Sequence, residues 1–255
     1  MTDFGLVVVK ALASLFSLAM ILSPALQIQR VHAERRTGEM AIMPLAGLLL
    51  SCHMWMVYGL ITGDIFPLFV TYLIGVVASV VYIGVYYRYT AEKAYARRVV
   101  LAAAALVAVI SLYTILGKAG ATGQSSHDVD QVVGYVTVCG SVALYTSPFE
   151  TIARVLKTKS AASIPALMCA CGCVSNSLWI LYGLLQHDAF VWGLGVFCTA
   201  FALLQVVLYC VFHPTTDAAS APPEHALDDA EKRELSIAVE SPCFAAMKSP
   251  LAPLQ

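Results

Sequence analysis

WMVYGLITGD (residues 55–64) and WILYGLLQHD (residues 179–188) are near copies of each other, 124 positions apart. Each closes an apolar stretch, so the duplication belongs to the frame of the fold and not to a surface loop. Working outward, SPALQIQRV (23–31) pairs with SPFETIARV (147–155) at the same offset of 124, and IMP (42–44) pairs with SIP (163–165) at 121. Two copies of one unit are therefore expected.

Composition says where that unit sits. Of 255 residues, 59% are hydrophobic and 12% charged, where soluble domains run near a quarter charged. Runs able to cross ~30 Å of hydrocarbon, about 20 residues each, fall at 6–29, 41–61, 65–87, 99–117, 131–153, 163–185 and 189–212. The first is too long for a signal peptide and lacks a small-x-small cleavage site, so it is read as a true span. Spans 1 to 3 make one copy and spans 5 to 7 the other. Three is odd, so a second copy joined directly would enter upside down; span 4, which has no counterpart, turns the chain back. The expected fold is an all-α integral membrane protein with seven transmembrane helices, two parallel three-helix bundles (3+1+3) and a linker helix. The divisions fall at 1–87, 88–130 and 131–212, with a disordered cytosolic tail at 213–255.

Ten Lys and Arg residues lie in the loops after spans 1, 3 and 5, against Lys118 alone in the opposite loops. Basic short loops stay cytosolic, which puts the N-terminus outside or in a lumen and the C-terminus in the cytosol. Lys10, inside span 1, is read as snorkelling to the outer surface. A net charge of -1 argues against a nucleic-acid partner.

Pro24, Pro44, Pro148 and Pro165 fall at one depth, near the cytosolic ends of spans 1, 2, 5 and 6. A proline inside a helix removes a hydrogen bond and bends the axis, so the four read as a hinge and inner gate. Trp55 lies 11 residues past Pro44, ~16 Å deeper at 1.5 Å per residue, near mid-membrane; Trp179 is its repeat partner. An indole face suits the C–H face of a sugar ring, and its N–H needs a partner that lipid cannot give. Ser51 and Ser175, four residues before each tryptophan, share its helix face. They either offer hydroxyls to a ligand or bond back to their own helix.

Taken together, the Ser-Pro pairs, the prolines opening spans 2 and 6, the two Trp-x-x-Tyr-Gly motifs with Asp64 and Asp188 behind them, and LLQVVLY (203–209) resemble the SWEET sugar transporters. That is the MtN3/saliva family of the PQ-loop group, and the likeness covers roughly residues 5 to 212. It implies a bidirectional facilitative sugar uniporter working by alternating access, with a mono- or disaccharide substrate, a lipid bilayer around it, homo-oligomers, no cofactor and no enzyme activity; the plasma membrane is the expected location. Parallel repeats, of which these transporters are an example, place substrate near the midplane between the copies. The resemblance also implies an outer gate of Tyr58 and Asp188, while a loop aspartate reads equally well as a helix cap.

Family members carry an asparagine in span 3 and another in span 7; here those positions are Tyr72 and Gly195. Asn176, the one asparagine of the sequence, shares the face of Trp179. Either Asn176 and the Tyr72 hydroxyl replace the missing amides, or the site takes another small solute. That second reading makes the chain a proton-coupled PQ-loop-type carrier of amino acids. Glu150 is the only carboxylate inside any span, which favours a uniporter, and His53 is the one titratable candidate near mid-depth. A seven-span receptor fits neither the internal repeat nor the absence of a lysine in span 7. Cys169, Cys171 and Cys173 point successively ~200° apart on a helix and cannot close on one metal. The tail serines Ser236, Ser241 and Ser249 are candidate phosphorylation sites.

Overall fold

The structure, a computed structural model, describes residues 3–38, 40–144 and 166–212. All regular structure among them is helical: α1 (Asp3–Leu22), α2 (Ala25–Glu34), α3 (Ile42–Ile61), α4 (Val70–Tyr89, entered through a π-type turn at Ile65–Phe69), α5 (Lys93–Lys118), α6 (Ser126–Leu144), α7 (Ala166–Leu185) and α8 (Ala189–Phe212). Hydrocarbon offers no partner to backbone N–H and C=O groups, so a chain this apolar satisfies them within helices. Phe4–Glu34, Ile42–Ile61, Ile65–Tyr89, Lys93–Lys118 and Ala189–Phe212 are long and apolar enough to cross a bilayer, and Cys171–Leu185 is a shorter apolar helix. α5 shows how such a helix is turned: Leu101, Leu106, Val109, Leu112 and Ile115 are exposed, while Ala96, Ala103, Thr114 and Gly117 face the protein. Small residues inward and bulky ones toward lipid is the membrane pattern.

Helix ends depart from the hydropathy reading. α5 starts at Lys93 and α6 at Ser126, five or six residues before the apolar runs, because hydropathy reports bilayer depth and not helix length. Ser125 explains the start of α6. Its hydroxyl accepts the N–H of Asp128 at 3.1 Å while its own N–H donates to the Asp128 carboxylate at 3.2 Å, a reciprocal cap.

The prolines differ from one another. α1 stops at Leu22, and Pro24, at φ -68 and ψ -12, precedes α2; here the span does break. Pro44 is the third residue of α3, whose N-cap is Ala41. N–H groups of a first turn have no intrahelical partner, so Pro44 costs no hydrogen bond and marks a helix start, not a bend. Pro148 and Pro165 lie outside the described residues.

α1, α3 and α4 form the first repeat, and α6, α7 and α8 the second. α3 packs on α4 and α7 on α8 within the repeats; between them α1 packs on α7 and α3 on α6. Exchanging the copies turns one of those cross-contacts into the other, as a two-fold axis along the membrane normal requires. α5 lies against α3, α4 and α6. His53 is pinned there: its Nε2 lies 3.0 Å from the Ser111 hydroxyl of α5, so it ties the linker helix to the first repeat.

Close approach of α4 and α8 to their partners depends on two repeat-related glycines. A Cβ on Gly59 would stand 2.8 Å from the backbone nitrogen of Phe69, and one on Gly183 would stand 2.6 Å from that of Trp192. Backbone cannot move aside cheaply. Gly183→Ala is expected to destabilise the protein by about 1–3 kcal/mol through overpacking. Gly193→Ala, which meets nothing within 4 Å, is expected to be neutral or slightly stabilising through helix propensity. Thermal unfolding of the two variants in detergent compares them, and equal melting temperatures would contradict the expectation.

Candidate functional site: a central cavity between two indoles

Between the repeats lies a cavity of about 290 Å³, and Ser51, Trp55, Tyr72, Ser175, Asn176, Trp179 and Gly195 all line it. Both indoles point inward. Trp55 Nε1 donates to the Ser141 hydroxyl at 3.1 Å, and Trp179 Nε1 donates to the Ser17 hydroxyl at 2.8 Å. Ser17 and Ser141 are themselves 124 apart, so each tryptophan anchors on the equivalent serine of the other repeat. These serines line the cavity too, and the sequence reading did not single them out. The signal was present: SLAMILSP (17–24) and SVALYTSP (141–148) extend the Ser-Pro match six residues upstream.

Tyr72 has no counterpart across the axis. Its ring lies between the two indoles, 6.0 Å from Trp55 at an interplanar angle of 25° and 6.0 Å from Trp179 at 32°. The phenol therefore occupies the space between the two indoles. Gly195 supplies a wall and no polar group. A Cβ there would stand 2.8 Å from Ile180 Cγ1 and 3.3 Å from the Asn176 carbonyl oxygen, so α8 sits too close to α7 for a side chain at 195. That leaves Asn176 as the carboxamide on the lining.

Toward the end where α1 and α6 begin, two hydrogen bonds cross the axis. The Tyr58 hydroxyl donates to Asp188 Oδ2 at 2.9 Å, and the Tyr182 hydroxyl donates to Asp64 Oδ2. Each tyrosine also meets its own tryptophan edge-on, Trp55 with Tyr58 at 5.8 Å and Trp179 with Tyr182 at 5.7 Å. Asp188 makes two kinds of contact at once. One oxygen takes the latch, while Oδ1 accepts the N–H groups of Phe190 at 3.0 Å and Val191 at 3.2 Å, capping α8. Tyr182–Asp64 is the symmetric latch that the sequence reading left unpaired.

The latches are unequal in charge. Lys10 does not simply reach for the surface: its Nζ lies over the Tyr182 ring, 5.7 Å from the centroid, and its charge acts on Asp64. Gly134 holds the equivalent place in the other repeat. Burial, reinforced by the Asp188 charge, holds the Asp64 carboxyl above the usual carboxylate range, against the opposing pull of Tyr182, Lys10 and the Leu68 backbone N–H. Desolvation of the charged form is the leading cause.

Among the described residues no three His, Cys, Asp or Glu side chains come together. Beside aliphatic side chains and the thiols of Cys52 and Cys198, the lining offers indole faces, hydroxyls and one carboxamide, groups suited to a neutral, hydroxyl-rich solute. His53 is not on it.

A parallel two-repeat helical frame around one midplane cavity defines a membrane carrier. Comparison with known proteins agrees. The family model described as "Sugar efflux transporter for intercellular exchange" matches residues 7–94 and 131–217, and the chain belongs to that family, MtN3/saliva. Bidirectional sugar transporter SWEET7b of Oryza sativa subsp. japonica is 28% identical over 209 residues, covering 79% of this chain and 76% of its own length. Bidirectional sugar transporter SWEET3 of Arabidopsis thaliana is 26% identical over 240 residues, 88% and 87% of the two chains. Putative bidirectional sugar transporter SWEET7e of the same rice subspecies is 30% identical over 207 residues, covering 79% and 78%. In fold, the solved 3.7 Å structure of a eukaryotic SWEET transporter superposes with a TM-score of 0.71 at 20% identity, over 82% of this chain and 97% of that one.

Proposed function

We propose that this chain carries a sugar down its gradient, in either direction and without a coupled ion, by alternating access through the cavity between the repeats. The observation that carries the reading is the pair of inward-facing indoles, each anchored on the other repeat, with a pair of crossed latches on one side of them. Trp55 and Trp179 serve as stacking platforms, with Asn176, Ser51 and Ser175 as hydroxyl partners and Tyr72 as the spacer that fixes lumen width; Gly195 is the close wall opposite. Tyr58–Asp188 and Tyr182–Asp64 form the outer gate, and Pro24 is the hinge of span 1. Pro148 and Pro165 complete the inner gate in this proposal, with Pro44 beside them as the start of α3 and not as a bend.

Tyr72 narrows the substrate. Its ring stands between the two indoles, so a monosaccharide is favoured over a disaccharide. The ten basic residues in one set of loops support an external N-terminus, and a family described by intercellular exchange supports the plasma membrane. The division 1–87, 88–130 and 131–212, the tail 213–255 and self-association belong to the same proposal.

Full-length protein in liposomes tests it. Labelled hexose should exchange by counterflow and should not accumulate against its own gradient when a pH gradient is imposed, and sucrose should move at least about tenfold more slowly. Absence of hexose flux would sink the reading, and flux driven by the pH gradient would transfer it to the proton-coupled carrier. His53 of α3 turns toward Ser111 of α5 and away from the cavity, which supports the uncoupled form.

A further inference from the structure

Beyond the latches, at the end where α1 and α6 begin, is a second cavity of about 540 Å³, larger than the central one. Gln131 and Tyr135 of α6, Gln186 and His187 after α7, and Phe190 of α8 line it, with Tyr58 and Asp188 on the side of the gate. We propose that this basin binds a neutral monosaccharide at the mouth of the transport path, as a site separate from the one between the indoles. The proposal rests on the sugar-carrier reading and extends it.

Repeat symmetry shows that the basin is built and not a by-product of the bundle's end. Had the second repeat copied the first, Gln131 and Tyr135 would be Val7 and Ala11, Gln186 would be Thr62 and His187 would be Gly63. Val7 is aliphatic and 58% exposed, as a lipid-facing position should be. On α6 that face carries a carboxamide, Gln131, and an aromatic ring, Tyr135, and Gln186 after α7 adds a second carboxamide to the basin. A carboxamide donates and accepts at once, which matches a ring of hydroxyls.

The aromatic wall is held in place. Tyr135 is 62% exposed, and its ring meets Phe190 edge-on at 5.0 Å and 90°, while Phe190 meets the gate residue Tyr58 at 5.8 Å and 75°. Phe190 sits where it does because position 134 is glycine: a Cβ there would lie 2.7 Å from the Phe190 ring. An exposed aromatic fixed beside two carboxamides offers a sugar one apolar face and several polar contacts, the same chemistry as the central cavity. Charge then selects. Asp64 and Asp188 both border the basin, whereas Lys10 is engaged with the Tyr182 ring, so a neutral sugar is accepted and a sugar phosphate or uronate is repelled.

A photoreactive diazirine hexose, applied to full-length protein in lipid nanodiscs and mapped by peptide mass spectrometry, tests the site. Wild type should label two separate segments, one in α7 near Trp179 and one around residues 131–135 of α6. The double variant Gln131→Val, Tyr135→Ala, which installs the residues the first repeat carries at those places, should lose the α6 label by about tenfold and keep the α7 label. Unlabelled hexose should compete at both segments and hexose phosphate at the α7 segment only or at neither. Label confined to α7, or an α6 label that survives the double variant as nonspecific capture from the lipid interface would, overturns the proposal. So does an unlabelled protein, with the carrier reading then judged separately by hexose flux in liposomes.

Discussion

Trp179→Ala is expected to abolish hexose flux, and Trp55→Ala to do the same. Each indole is buried, and each belongs to the apolar cluster that also holds Tyr58, Tyr182, Val129 and Val191. Truncating a buried tryptophan typically costs about 3–5 kcal/mol of stability, so lost flux alone would not separate binding from folding. Phenylalanine does separate them. Trp179→Phe keeps an aromatic face but drops the N–H that reaches Ser17, and should retain a measurable melting transition with flux reduced by about tenfold or more. Ser17→Ala probes the same bond from the other side and leaves the indole N–H unpaired, at a cost of about 1–3 kcal/mol. Because Ser141 makes the equivalent bond to Trp55, Ser141→Ala should match it in flux. A large inequality between the two serines would show that the halves do not share the load. Tyr72 gives the complementary test. Tyr72→Asn empties the space between the indoles and should let sucrose pass at a rate approaching hexose, while Tyr72→Phe should leave selectivity unchanged. Sucrose exclusion that survives Tyr72→Asn would show that the phenol does not set lumen width.

How much of this was legible in the sequence depended on whether a feature obeys the repeat. Trp55 and Trp179 and the parallel arrangement followed from an offset of 124 and an odd number of spans, because a two-fold axis writes each contact into the chain twice, whereas the pairing of Tyr58 with Asp188 came from the family resemblance. Ser17 and Ser141 obey the same offset yet escaped notice. A serine in an apolar helix is ordinarily read as bonding back to its own turn, and Ser141 does that as well, donating to the Thr137 carbonyl at 2.8 Å. Its second role as an acceptor depends on Trp55, 86 residues away, which no local pattern reveals. Features that break the repeat were harder. Tyr72 was placed on the lining through family resemblance, but nothing local says that its ring wedges between two indoles from different halves. Lys10 was read by its depth alone, as a charge one turn from the surface, since its partners Tyr182 and Asp64 belong to a contact across the bundle. Pro44 was misjudged for a different reason: a proline two residues inside a helix and one in its middle look alike until the N-cap is known.

Neutralising Asp64 should lock the gate, and acid should do so in the wild type. Half-buried beneath its latch, the Asp64 carboxyl titrates above the usual range, with desolvation as the leading cause and the Asp188 charge adding to it, while Tyr182, Lys10 and the Leu68 N–H oppose. Opening the gate hydrates this carboxyl and returns it toward an ordinary value. The closed state therefore binds the proton more tightly than the open one, and lowering the pH shifts the population toward closed. The sign for folding is the same. A raised folded-state pKa favours the folded protein below the unfolded value, and that contribution is lost as pH rises through the folded one. Hexose counterflow, with equal pH on both sides, is expected to fall as pH drops through the raised Asp64 pKa and to recover above it. Asp64→Asn, fixed in the neutral form, should hold the low rate at every pH and lose the profile. Asp188→Asn differs: asparagine caps a helix about as well as aspartate, so the start of α8 should hold, while the pH profile should remain but move to lower pH, because the Asp188 charge that helps raise the Asp64 carboxyl is gone. If Asp64→Asn kept the wild-type pH dependence, the titrating group would lie elsewhere, and the latch between Tyr182 and Asp64 would be a packing contact with no part in gating.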